Sequence, residues 1–285
     1  MSDAVRAFVP GHVTGFFTVD RDEDPTKAGS RGAGLALSDG VTVTVDPVGD
    51  SGVVFDGDRV EMEPVERVLD ALDVTAAVRG ETDLPLGAGF GVSGAMALGT
   101  ALAANAVRDR GLSAYELATV AHGAEVQAGT GLGDVVAQRH GGAPIRLEPG
   151  SPQHNKMDAV PAQTRIEYVT FGDLATDEVI GGDTDTLTAA GTRALSELVQ
   201  EPTLDRFFRA SRKFARESGL LTDRVHEAIA DVADTGGDAT MGMLGQTVVA
   251  RGTGLTDAGY DPAACRIDPT GAALLSDGGE RSLPL

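Results

Sequence analysis

The sequence is short of several residue types, and each shortage excludes something. Cys265 is the only cysteine, so neither a disulfide within the chain nor a cysteine-based zinc site is available. Lysine is confined to Lys27, Lys156 and Lys213, and 23 basic residues stand against 43 acidic ones, a formal charge of −20. The acidic excess is spread along the chain instead of gathered in a tail, which makes the whole surface acidic. Such a surface repels nucleic acid and anionic membranes, so neither is an expected partner. Few lysines, many aspartates and small apolar residues fit a protein adapted to high salt, where screening removes self-repulsion. Residues 84–107 carry no charge, but glycines and Asn105 break the run too often for a membrane span. The opening MSDAVRAFVPG lacks the basic region and apolar run of a secretory signal, and the expected location is cytoplasmic. A chain of 285 residues has length for one large domain or two smaller ones.

What the sequence does have is a glycine loop, PLGAGFGVSGAMAL, over residues 85–98. Alternating Gly87, Gly89 and Gly91 let backbone N–H groups come close to a ligand. Ser93 is placed to cap the helix that the alanines and leucines behind it favour. A glycine loop opening a helix is a ready anion site, and phosphate is the obvious anion. No lysine follows, which excludes a Walker-type loop. GFGVSG matches G-x-G-x-x-G, but Glu81, Asp83 and Pro85 separate it from any strand, against a dinucleotide fingerprint. A glycine-softened buried helix is the bland alternative.

Downstream, Ser113 and Glu116 have capping-box spacing. The helix they open carries Leu117, Val120, Ala121 and Ala124 as its apolar stripe. Glu125 points along that stripe near the helix C-terminus, where the dipole disfavours a negative charge. Buried, it calls for a partner, and Mg²⁺ is a natural one; at the edge of the stripe it is an ordinary half-exposed glutamate. GTGLGD follows, a second close-approach loop ending on Asp134, which alternatively caps a short helix.

The remaining elements are read more coarsely. Residues 4–19 suggest two short strands broken at Pro10-Gly11, with His12 after the break. Ser30 and Arg31 lie among glycines at the mouth of the next strand. There the guanidinium either holds a carboxylate bidentately or is an ordinary surface group. Residues 34–46 suggest a hairpin turning at Asp39-Gly40. Residues 61–73 suggest a helix with Pro64 in its first turn, and DVTAAVRGE a strand. Residues 148–164 read as a connector, followed by the strand RIEYVTFG and helices near 186–200, 203–218 and 222–234. In the middle helix Phe207, Phe208, Ser211, Phe214 and Ala215 form the inner stripe. Its Arg206, Arg209, Arg212, Lys213 and Arg216 either line an anionic cleft or make a solvated face. Residues 236–250 suggest a glycine-rich turn before the strand QTVVA, and the rest a short helix and edge strand.

Pro85, Gly89, Gly91, Ser93 and Ala95 spell P-x-x-x-G-x-G-x-S-x-A, which resembles the nucleotide-binding motif of the GHMP kinases. Val92 stands where the usual motif has a first serine. The stretches VPGHVTGFF and GSRGAGLAL resemble the archaeal pantoate branch of that family, and Pro10-Gly11-His12 replaces the P-G-K of most members. With the acidic surface, this suggests a halophilic archaeon as the source. The resemblance implies an α/β fold of the two-lobed GHMP type with mixed sheets. Residues 1–150 would be an ATP-binding lobe and residues 151–285 a lobe completing the substrate site. It implies ATP and Mg²⁺ as cofactors, with the phosphates held by Pro85, Gly87, Ala88, Gly89, Gly91, Val92, Ser93 and Gly94. Ser93 and Glu125 would hold the metal, Asp134 would be catalytic, and His12, Ser30 and Arg31 would contact the substrate. The implied substrate is pantoate; homoserine or an isoprenoid-pathway alcohol are alternatives, as is a non-catalytic sensor of the same fold. A second copy of the chain, as a homodimer, is the one macromolecular partner expected.

Overall fold

In the computed structural model, residues 4–49, 51–173, 184–276 and 278–282 are described. Two sheets organise them. The first is mixed, with strands β1 (Val5–Phe17), β2 (Gly32–Asp46), β3 (Gly52–Phe55), β4 (Asp58–Val60), β5 (Ala77–Glu81), β6 (Ala143–Glu148), β7 (Lys156–Val160) and β12 (Ala273–Leu275). Its order is β12-β1-β2-β5-β3-β4, with β6 on β2 and β7 on β6. β3 and β5 run parallel and the other pairs antiparallel. The second sheet is antiparallel, in the order β11-β8-β10-β9, from β8 (Arg165–Asp173), β9 (Asp238–Gly242), β10 (Gly245–Arg251) and β11 (Ala263–Arg266).

The first sheet departs from expectation in three places. Residues 5–17 form one strand, not two, and 32–46 are one strand, not a hairpin. The register of the β1–β2 pair slips between Pro10 and Gly11, opposite Gly40 and Leu37. A bulge there absorbs the proline and the Asp39-Gly40 pair that locally look like breaks. The supposed connector also contains a strand, because β7 pairs with β6. Similarly, residues 238–242 form β9, so the glycine-rich turn is the tip of a hairpin with β10.

The helices follow the sequence closely. They are α1 (Glu63–Ala71), α2 (Val92–Arg108), α3 (Ala114–Ala128), α4 (Asp134–His140), α5 (Asp185–Gln200), α6 (Leu204–Glu217), α7 (Asp223–Asp234) and the short α8 (Gly254–Asp257). Pro64 sits in the first turn of α1, and Ser113 and Glu116 form a complete capping box on α3. The alanine-rich α2 is buried almost throughout and packs on β1 and β2. From Val9 to Phe17, β1 is buried on both faces. Its far side meets α6, where Phe16 and Phe17 pack on Phe207 and Phe214 with ring centroids 5.8–6.4 Å apart. The basic residues of α6 are largely engaged by carboxylates: Arg206 with Glu201, Arg212 with Asp238, and Lys213 with Glu197 at 2.6 Å. They make a largely paired surface face, and Arg212 and Arg216 also border a cavity of about 230 Å³.

Pairs of this kind leave a large uncompensated negative charge on the surface. The melting temperature should therefore rise as KCl increases from dilute buffer to molar concentration. A melting curve that is flat or falls with salt would reject adaptation to high salt.

Candidate active site

The glycine loop leads straight into α2, whose N-cap is Gly91 at φ 64°. Ser93 is therefore inside the first turn and does not cap the helix as its position suggests. Its hydroxyl is taken by a residue 32 positions away, donating to Glu125 Oε1 at 2.6 Å. Gln138 on α4 donates to the Gly91 carbonyl at 2.8 Å, which fixes the loop against the next element.

Gly87, Gly89, Gly91, Val92, Ser93 and Gly94 line a cavity of about 420 Å³, with Glu125, Thr130 and Asp134 on its other wall. The first turn of α2 points its unpaired N–H groups into that space, a suitable place for phosphate. Two residues of the expected phosphate set do not line it. Ala88 is buried, and its carbonyl accepts a hydrogen bond from Thr247 on β10; Pro85 only leads the chain into the loop.

Glu125 is 2% exposed, so the apolar stripe of α3 does carry it inward. Burial pushes its carboxyl up to about 7, against the hydrogen bonds from Ser93 and Thr130. Gly131 presses the loop against it: a Cβ there would lie 2.4 Å from Glu125 Oε2. A buried carboxylate met by hydroxyls, beside a cavity for phosphate, has the chemistry of a Mg²⁺ ligand. Among the described residues no cluster of three or more histidines, cysteines or acidic residues could hold a metal. Mg²⁺ keeps several waters and takes oxygens from phosphates, so it needs few protein donors.

Asp134 is the first residue of α4, with Gly133 as the cap. Its side chain, 19% exposed, accepts a hydrogen bond from His12 Nδ1 at 2.7 Å. A carboxylate can only accept, so the proton of that bond sits on Nδ1. Desolvation works to raise the Asp134 carboxyl, but the hydrogen bond from His12 and the nearby Arg146 guanidinium hold it below the ordinary carboxylate range. Burial lowers the His12 pKa and keeps the ring neutral. Nε2 of His12 has no partner and faces Gly34, where a Cβ would lie 2.2 Å away. His12 is thus closed off behind Asp134, and a direct substrate contact, as the sequence suggests for it, has no room.

Asp134 also borders a second, smaller cavity, lined by Thr14, Phe17, Ser30, Leu132, Leu244 and Arg146 among others. Ser30 is buried there, its hydroxyl donating to the Leu132 carbonyl at 3.4 Å. Arg31 is elsewhere: it forms an ion pair with Asp20 at 3.2 Å and lines neither cavity. The cation of this site is Arg146, on β6 and 2% exposed. Its Nε donates to the Ser30 carbonyl at 3.3 Å and its Nη1 has no partner. Burial lowers its pKa to about 10, which still leaves a cation at neutral pH. Sequence reasoning passed over Arg146. The signal that could have found it is an arginine inside the otherwise apolar strand APIRL. His122, one turn before Glu125 on α3, is also buried, with Nε2 2.8 Å from the Ala28 carbonyl.

Comparison with known proteins fits this arrangement. The GHMP kinases N-terminal domain family matches residues 63–142, which span the glycine loop, Glu125 and Asp134. A pantoate kinase of Methanospirillum hungatei is 36% identical, the match covering 98% of each chain. That of Methanocaldococcus jannaschii is 34% identical over 85% of this chain and 90% of its own. A solved structure described as a phosphotransferase related to the CoA biosynthesis pathway superposes with a TM-score of 0.82 at 31% identity. It covers 95% of this chain and 98% of its own. With a two-lobed α/β fold, mixed sheets and relatives at this identity over nearly its full length, the chain belongs to the GHMP kinase family.

Proposed function

We propose that the protein transfers the γ-phosphate of ATP to the primary hydroxyl of pantoate, giving 4-phosphopantoate on the route to coenzyme A. The observation that carries this reading is the position of Asp134 on both cavities. One has the glycine loop and a helix N-terminus for phosphates; the other has a buried guanidinium with an unpartnered Nη1 for a carboxylate. A small alcohol bearing a carboxylate would find a partner for its hydroxyl in Asp134 and one for its carboxylate in Arg146, and the named relatives favour pantoate among such alcohols.

Phosphoryl transfer needs in-line positioning and charge neutralisation more than covalent help. The loop amides hold the phosphates, and Arg146 with Ser30 holds the acceptor carboxylate. The acceptor oxygen bonds to the γ-phosphorus as the bond to the ADP oxygen breaks. Its proton passes to the Asp134 oxygen that His12 does not occupy. A carboxylate held this low is a weak base, so Asp134 mainly orients the hydroxyl and accepts the proton late. Ser93 and Glu125 would hold Mg²⁺, which when bound neutralises phosphate charge.

Assays of ADP release in molar KCl, with pantoate, homoserine and mevalonate as acceptors, test the reading. Pantoate should be clearly preferred; no turnover on it, or comparable turnover on either other alcohol, would overturn the assignment. Glu125→Gln should raise the Mg²⁺ concentration needed for half-maximal rate by about tenfold or more, with partial rescue by excess metal. Equal Mg²⁺ titration curves for the two proteins would remove Glu125 as a ligand.

A further inference from the structure

Leu244 is at the tip of the β9–β10 hairpin with φ 64°. That left-handed conformation crowds a Cβ and suits glycine or asparagine, so a leucine there carries a steric cost. The turn is held in place on both sides. The Met243 N–H donates to the Thr14 carbonyl at 2.8 Å, and Thr247 donates to Ala88 of the glycine loop. Leu244 is half-buried, and it lines both cavities, as Asp134 and Thr14 do. A turn that glycine would make without strain instead places an isobutyl group where donor and acceptor meet.

The lining of the acceptor cavity holds both polar and apolar groups. Asp134 takes the hydroxyl that is phosphorylated, and Arg146 with Ser30 takes the carboxylate. The apolar side chains of that cavity are Leu244, Phe17 and Leu132. In pantoate a carbon bearing two methyl groups separates the hydroxymethyl end from the hydroxy-acid end. An acceptor held by both polar groups would bring that carbon against the apolar side chains of the same lining.

We propose that Leu244, with Phe17 and Leu132, forms the wall that receives the dimethyl carbon of the acceptor, and that Leu244 is the residue selecting branched over unbranched hydroxy acids. This rests on the pantoate reading and deepens it. The wall gains contact only when the methyl groups are present, and homoserine, like any unbranched acid, has a bare CH2 at that carbon.

The probe is 2,4-dihydroxybutanoate, which keeps both hydroxyls and the carboxylate of pantoate and lacks the two methyl groups. The wild-type protein should prefer pantoate in kcat/KM by about 10–200-fold, the range for a small apolar group in a fitted pocket. Leu244→Gly relieves the backbone strain while deleting the wall, and Leu244→Asn tolerates the same φ with a polar group. In both, the preference should fall by about tenfold or more. Their melting temperatures should stay at or above that of the wild type for glycine, and near it for asparagine.

An unchanged preference in both variants overturns the inference and leaves pantoate as the substrate. So does a wild-type protein that phosphorylates the two acids equally well, a result that needs no variant. No wild-type turnover on pantoate overturns the functional reading and this inference with it.

Discussion

Replacing Asp134 with asparagine is expected to lower kcat by about 10²–10⁴-fold, the usual loss for a positioned acid–base group, with little change in the KM for ATP. Asparagine keeps the shape and can still accept the Nδ1–H bond of His12, so the fold and the nucleotide cavity survive. What it cannot do is take a proton. The pH profile separates this from a structural defect. A base must be ionised to act, and the Asp134 carboxyl is held below the ordinary carboxylate range. At saturating Mg²⁺, which would hold Glu125 ionised, wild-type kcat should therefore keep its value as pH falls to the ordinary carboxylate range and drop only below it. The residual rate of Asp134→Asn should lack that drop. A variant with near wild-type kcat would remove Asp134 from the chemistry.

The second large effect concerns Arg146. Arg146→Met should reduce kcat/KM for pantoate on the order of 10²–10³-fold, the scale for deleting one partner of a buried, hydrogen-bonded charge pair. The KM for ATP should move much less, because Arg146 borders only the acceptor cavity. Stability should respond in the opposite sense. In the free protein Nη1 of Arg146 is buried without a partner, a situation that costs stability. An apolar side chain of similar length should leave the melting temperature near its starting value or raise it. A large loss of stability with unchanged pantoate kinetics would make Arg146 a structural residue.

Much of this site could be read from local sequence, because its parts announce themselves over short spans. The glycine loop, the α3 capping box and the inward direction of Glu125 each depend on residues within two or three turns. What the sequence hid depends on distant partners. Ser93 has the chemistry of a cap, yet Glu125 takes its hydroxyl from another helix. Arg31 and Arg146 look equally plausible in isolation. They are sorted by Asp20, which engages the first, and by the Ser30 carbonyl, 116 positions from Arg146 and bonded to its Nε. Pro10-Gly11 and Asp39-Gly40 read as breaks because local rules treat them so. Only their juxtaposition across β1 and β2 turns two breaks into one bulge.

The sealed face of His12 has a consequence for where protons go during turnover. In a relay, an imidazole takes a proton on one nitrogen and gives one up from the other. Here Nε2 abuts Gly34 and has no acceptor, donor or solvent beside it. The Asp134–His12 pair is a dead end, able to polarise the carboxylate but unable to drain it. A proton that Asp134 accepts has to leave into the two cavities that Asp134 borders, not through His12. Reloading the base for the next cycle is thus tied to emptying the site, because the occupants that cover Asp134 during transfer also cover its way out.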